Sequence, residues 1–491
     1  MSTHLKLLGA WVLALYVLSR LIQNFRDQAR KTPTVRFWPW IFPDVMNRLS
    51  FNSRAPDLIR KGYLLYRHQP FKVLKPGKDL LVLPLEYGNE LRSVHSEKLN
   101  QLEANFENHV GDYTSILLGG DLHTNVIQQR LTPGLPRILP SVMDELDYAF
   151  GEEFPECQAT WVPAQPYKLV LGLASRAGAR VFVSKPICRD TKFLETSISL
   201  TANIFETIGI LRLVPPVIRP FIGARLPSVQ RLNDQMEYVR KLLGSEIERR
   251  KIEDEKNDDF LQWSTDLATR PEDQDPASIA HRTMGILSMA VVHTTAMAVT
   301  HMLYDLIERP HVLRMLLDEQ KMTLPNGWSE IDQAAMLKMR LLDSFMRESQ
   351  RFNPPGEVSF SRIVKEPIEL SDGFVLEPGQ QICVASRQIN AESPDLENPG
   401  SYEPFRWSTD PSPTSSWAHS STQNLHFGLG RYACPGRFFA AYTIKSIMSR
   451  LLLEYDFQLE NGQTSRPRNL VQGDKILPDY NRCLLFRRRA N

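Results

Sequence analysis

The chain has 491 residues, 42% of them hydrophobic and 23% charged, which is ample for a large buried core. A formal net charge of +2 excludes the broad basic stripe of a nucleic-acid binder and leaves only local patches for an acidic protein partner. Five scattered cysteines (Cys157, Cys188, Cys383, Cys434 and Cys483), odd in number and without a CxxC pair, exclude a disulfide scaffold and fit a reducing compartment.

The chain opens with an apolar run, LLGAWVLALYVL from Leu7 to Leu18, extendable to Ile22 if Ser19 and Arg20 lie at an interface. At about 16 to 18 residues it is near the lower limit for a membrane span. A cleaved secretory signal is the rival, but no small-x-small site follows. Instead come Arg26, Arg30, Lys31 and Arg36, whose charge places the following bulk on the cytosolic side of an uncleaved anchor. Residues 1–31 are therefore expected to be anchor and basic linker, with one domain over 32–491. The run FWPWIFP (Phe37 to Pro43) reads as a stiff hinge at the membrane interface.

Phe71 to Leu74 and Leu80 to Leu83, parted by Pro76-Gly77, predict a hairpin. From about residue 88 to 350 helical periodicity dominates; after Pro354 short strands and turns take over. No repeat, low-complexity tract or long linker divides the chain, so the expected architecture is mainly α with a small β-rich part, preceded by an N-terminal transmembrane helix. The segment Leu211 to Gly223, apolar and broken by three prolines, reads either as a buried loop or as a surface segment touching a bilayer.

A long helix is predicted between the N-cap pair Asp275-Pro276 and Pro310, roughly 30 residues and about 45 Å. Its middle, Gly285 to Ala298, is apolar nearly all round and so central. It carries Ala290-Val291-Val292-His293-Thr294-Thr295, where the bland reading of the threonines is back-bonding to the preceding turn. A second helix ends Glu348-Ser349-Gln350-Arg351 before Asn353-Pro354-Pro355; Glu and Arg three apart share a face, ordinarily as a weak surface pair.

The most informative stretch is FGLGRYACPGRFFA, Phe427 to Ala440. Gly428, Gly430 and Gly436 permit tight turns and close approach, and Pro435 falls just inside a helix start. Cys434 then lies at the N-terminus of a helix from about Arg437 to Leu453, where the dipole and free N–H groups favour a sulfur anion. Phe427 can cover that sulfur from one side. A zinc site needs more ligands than nearby His426, and a cysteine nucleophile needs a base that the sequence does not identify.

The order Phe427-x-x-Gly430-x-x-x-Cys434-x-Gly436 resembles the haem-binding signature of the cytochrome P-450 family. The resemblance extends over nearly the whole chain and implies the family's fold, haem b as cofactor and Cys434 as axial ligand of the iron. Phe427, Gly430, Arg431 and Gly436 would surround the haem. Thr294, with His293 in place of the usual acidic residue, would stand where dioxygen is protonated. Glu348 and Arg351 match a buried structural pair, and Arg406, in Tyr402-Glu403-Pro404-Phe405-Arg406-Trp407, would add a second arginine to it. Arg362 resembles a partner of the haem propionates. Tyr432 replaces a more usual Arg or His, and His123 a Trp; Arg130 is the nearest alternative cation there.

The implied activity is a monooxygenase that inserts one oxygen atom from O2 into an apolar molecule. Electrons would come from NADPH through an NADPH-cytochrome reductase, with cytochrome b5 as a further donor. The implied setting is the endoplasmic reticulum membrane with a cytosolic catalytic domain. Within the family the chain looks most like fungal enzymes of terpenoid and alkaloid biosynthesis such as the ent-kaurene oxidases. A haem-thiolate isomerase, dehydratase or ring-closing enzyme is the alternative reaction, and a haem sensor the non-enzymatic one.

Overall fold

A computed structural model describes residues 11–12, 14–23, 32–116, 120–158, 160–393 and 396–489. The expected anchor is described in part: residues 11–12 and 14–23 are helical, while 1–10, 13 and 24–31 lie outside the described residues. Among the described residues, the helix long and apolar enough to cross a membrane is Pro276–Glu308, and 61% of its most apolar window is buried, so its apolarity serves the core.

Helices dominate, with β-structure at two edges. The larger sheet holds β1 (Thr34–Val35), β2 (Phe71–Val73), β3 (Leu80–Leu83), β4 (Leu99–Asn100), β6 (Ser359–Val364) and β7 (Gln381–Val384), in the order β1-β2-β3-β7-β6-β4. The expected hairpin is its β2–β3 pair, antiparallel with Phe71 opposite Val82. A smaller sheet joins β5 (Val162–Ala164), β8 (Tyr455–Leu459) and β11 (Leu484–Arg488), and β9 (Leu470–Gln472) pairs with β10 (Lys475–Leu477).

Seven helices matter for the site: α1 (Gln101–Asn108), α2 (Pro166–Val183), α3 (Thr191–Leu211), α4 (Pro276–Ile286), α5 (His293–Glu308), α6 (Arg340–Phe352) and α7 (Arg437–Glu454). The predicted long helix is α4 and α5 joined through a π-helical segment, Leu287–Val292, which apolar periodicity does not reveal. It starts where the capping pair places it: the Asp275 carboxylate accepts from the N–H groups of Ala277 and Ser278. Helix α2, rich in small residues, lies against the π segment; a Cβ on Gly178 would meet Leu287 Cδ1 at 2.7 Å, so a larger residue there would require that leucine to shift.

The proline-broken segment is not a buried loop. Leu213, Val217 and Phe221 are 50%, 83% and 67% exposed, so it forms an apolar surface.

Candidate active site

A cavity of about 820 Å³ lies between the long helix, the Cys434 loop and the larger sheet. Gly428 and Gly430 hold φ of 79° and 71°, and a Cβ on Gly430 would lie 2.5 Å from the Arg92 carbonyl oxygen. The turn closes with the Cys434 N–H donating to the Phe427 carbonyl at 2.6 Å. Phe427 is set edge-on against Trp417, centroids 4.9 Å apart, and lines the cavity with Cys434. Helix α7 begins at Arg437 with Gly436 as N-cap, so Pro435 stands before the helix and not inside it. Burial pushes the Cys434 thiol up; the N–H groups of Gly436 and Arg437 and the Arg437 charge pull it back.

Across the cavity, Thr294 is open to the space and back-bonds to the Ala290 carbonyl at 2.6 Å. The expectation that His293 works beside it requires correction, because His293 does not line the cavity. Its Nε2 is 2.9 Å from the Ile198 carbonyl, which can only accept, so Nε2 carries the proton. Nδ1 then accepts from the Tyr167 hydroxyl at 3.0 Å. Burial holds this imidazole below its ordinary pKa. His293 therefore ties the long helix to α2 and α3.

Below the cysteine loop, Glu348 and Arg351 form a buried pair with two parallel bonds of 2.8 Å. Arg351 also donates to the carbonyls of Pro399 and Ser401, at 2.7 and 3.0 Å. Arg406 joins this pair as expected, but loosely: its guanidinium is 3.8 Å from Glu348 and bonds the carbonyls of Glu397, Asn398 and Ser401. The second donor to Glu348 is the Glu403 N–H, at 2.8 Å. Arg406 thus pins the 397–401 loop that Arg351 holds from the other side.

Arg362 is 2% exposed, lines the cavity and stacks over Phe360 and Tyr432, its carbon 4.4 and 4.9 Å from the ring centroids. It makes one side-chain hydrogen bond, to the Ser361 carbonyl, and burial pushes it down to about 10. The Tyr432 hydroxyl is buried with no partner among the described residues. Arg431 and His123 also line the cavity, whereas Arg130 is exposed and does not, so the latter is no candidate for an anionic group there.

These residues fit a haem. The thiol supplies a soft ligand, and a Cβ on Gly436 would meet nothing within 4 Å, so the space beside the sulfur is open to a flat ring. Arg362 and Tyr432 offer unused donors of the kind that carboxylates need.

The arrangement defines a haem-thiolate protein, and comparison with known proteins agrees. The family model for Cytochrome P450 matches residues 158–480. Cytochrome P450 monooxygenase idtP of Claviceps paspali is 49% identical over 99% of both chains. Cytochrome P450 monooxygenase terP of Tolypocladium album is 50% identical over 99% of this chain and 98% of its own. The solved structure of retinoic acid bound cyanobacterial CYP120A1 shares the fold, superposing with a TM-score of 0.71 at 18% identity and covering 93% of this chain and 99% of that one. The chain belongs to the cytochrome P450 family. It is a monooxygenase of that family.

Proposed function

We propose that the enzyme inserts one oxygen atom from O2 into a C–H or C=C bond of an apolar secondary metabolite of the terpenoid class. The observation that carries this is the cavity itself, with Cys434 on one wall and the open Thr294 hydroxyl on another. Bound haem supplies the activation of dioxygen. Cys434 holds the iron, while Phe427, Gly430 and Gly436 shape the sulfur's surroundings. Arg362, Arg431 and Tyr432 receive the haem carboxylates. Thr294 can donate and accept, so its hydroxyl would relay protons from water into the chamber. Met289, Ala290, Val291 and Ala298 give the long helix an apolar surface that admits a hydrocarbon skeleton and sheds water. Glu348, Arg351 and Arg406 keep the segment ahead of the cysteine loop in place.

Electrons come from NADPH through a membrane-bound reductase, with cytochrome b5 as an additional donor. The N-terminal run anchors residues 32–491 on the cytosolic face of the endoplasmic reticulum as one catalytic domain. Two apolar surfaces support a membrane setting: Leu213, Val217 and Phe221, and Phe37, Ile41 and Phe42, the latter three about 40% exposed.

The test is the reduced carbonyl spectrum of the purified full chain, followed by turnover with reductase, NADPH and O2. Thiolate-ligated haem is expected in the wild type, and Cys434→Ala should lose both that band and all product. An imidazole-type band in the intact wild type would sink the assignment of the ligand.

A further inference from the structure

One wall of the cavity is polar, and the chemistry above leaves it unexplained. Lys75 follows strand β2 and is 4% exposed. Its ammonium donates to Asn108 Oδ1 at 2.6 Å. Gln381 on β7 donates to the same oxygen at 3.0 Å and to the Ser361 hydroxyl at 2.9 Å. Asn108 Nδ2 reaches that hydroxyl at 3.3 Å, and Arg212, at the end of α3, donates to the Asn108 carbonyl. Asp474, in the turn between β9 and β10, and Lys475, the first residue of β10, complete the wall; all seven residues line the cavity. The Arg48 guanidinium clamps the Lys75 carbonyl at 2.6 Å, fixing the backbone that presents the ammonium.

The charge here does not balance internally. Lys75, Arg212 and Lys475 face a single carboxylate, Asp474, which is 3.9 Å from Lys475. Among the described residues no carboxylate lies within ion-pair distance of Lys75 or Arg212. An ammonium has three N–H donors and a guanidinium five; each of these two makes one hydrogen bond. Lys75 is buried and Arg212 partly so, and both line the cavity, so a ligand that covers them must accept from their spare donors or leave them unpaired. Burial pushes the Lys75 ammonium down to about 8 and also lowers Arg212, as expected of cations stripped of water without an anion in return.

We infer that this wall is a recognition site for an oxygen function on the substrate, a hydroxyl, carbonyl or carboxylate that accepts from Lys75 and Arg212 while the hydrocarbon skeleton lies along the long helix. Asn108, Gln381 and Ser361 act as positioning residues: their mutual bonds hold the ammonium at one place. The consequence is regiochemical. A substrate fastened by one oxygen presents a fixed distance to the iron, so the carbon oxidised is set by where that oxygen sits in the skeleton. The same fastening discriminates strongly, because a ligand lacking the oxygen leaves these donors buried and unpaired.

This reading rests on the proposed monooxygenase activity, and its failure is separable from failure of that activity. Wild-type holoenzyme, Lys75→Met and Lys75→Arg are titrated with a polycyclic terpenoid hydrocarbon and its matched alcohol, ketone and carboxylic acid. Dissociation constants are read from the haem spin-state shift, and haem content and the reduced carbonyl band are recorded beside each titration. The wild type should bind at least one oxygenated ligand about tenfold or more tighter than the hydrocarbon. A preference for the acid would identify charge pairing, and one for the alcohol or ketone neutral hydrogen bonding. Lys75→Met should erase the preference with the thiolate band intact, and Lys75→Arg should keep part of it. Equal affinities across the set in the wild type would overturn the inference. So would loss of haem in Lys75→Met and Lys75→Arg alike, which would give the wall to the haem carboxylates instead.

Discussion

Among the buried clusters built around cations, those at Glu348 and at Lys75 are finished to different degrees. At Glu348 the carboxylate accepts two bonds from Arg351 and one from the Glu403 N–H, and Arg351 spends its remaining donors on backbone carbonyls. At Lys75 the ammonium makes one bond and the neighbouring Arg212 one, with no carboxylate in contact with either. A closed network holds a fold together; an open one keeps donors for a ligand oxygen that displaces water from them. The contrast separates scaffold from recognition without reference to the iron, and it runs against the habit of treating every buried charge as structural.

The comparison breaks most visibly at Glu348. Glu348→Gln leaves Arg351 buried without its counter-ion, which costs about 3–5 kcal/mol. Thermal unfolding should shift down by many degrees and haem should be retained poorly; a variant that unfolds and loads like the wild type would mean the pair is dispensable. Lys75→Met should move stability the other way by about 1 kcal/mol or less, since it removes a dehydrated cation and keeps the aliphatic stem. Differential scanning calorimetry on both variants gives the two signs directly; a large loss at Lys75 would make that cluster scaffold too.

The smallest effect is on pH. Lys75 titrates at about 8, below its usual range, so it is charged below that pH and neutral above it. The groups around it do not titrate nearby: His109 is pushed down to about 4, Cys383 up to about 12, Asp474 is held low and Arg212 keeps its charge. Affinity for an oxygenated ligand should therefore weaken a few-fold as pH rises through about 8, with hydrocarbon affinity flat. A neutral amine still donates, which keeps the effect modest. The same sign governs folding. Because burial depresses this lysine's pKa, its charged form opposes the fold at neutral pH, and that penalty fades as pH climbs from about 8 toward the unfolded value.

The sequence reveals what is local and hides what is assembled. Cys434, its glycines and the helix behind it lie within one stretch, and the Glu348–Arg351 pair sits three apart on one helix, so spacing alone places them. The capping pair at Asp275 likewise announces the long helix. The recognition wall draws Lys75, Asn108, Arg212, Ser361, Gln381 and Asp474 from separate elements, and no periodicity links them. Buried polar residues scattered at strand and helix ends were the available signal, but each alone resembles ordinary surface. His293 misleads for a related reason: position along a helix does not say which way a ring turns, and Tyr167 and Ile198, far away in the chain, decide it. Arg130 misleads likewise, since nothing local shows that it faces out.

The π segment at Leu287–Val292 carries a last implication. A wider turn lodges extra backbone in the same axial rise, so the two halves of the long helix are out of phase with an unbroken α-helix by up to one residue, about 100°. Loss of a single codon within this segment could be absorbed by tightening the turn, without disturbing the Asp275 cap. The downstream helix, with its threonine hydroxyl, would then keep its place on the chamber wall. The irregularity thus acts as a reserve of length: the wide turn can give up a residue while both flanking helices hold their positions.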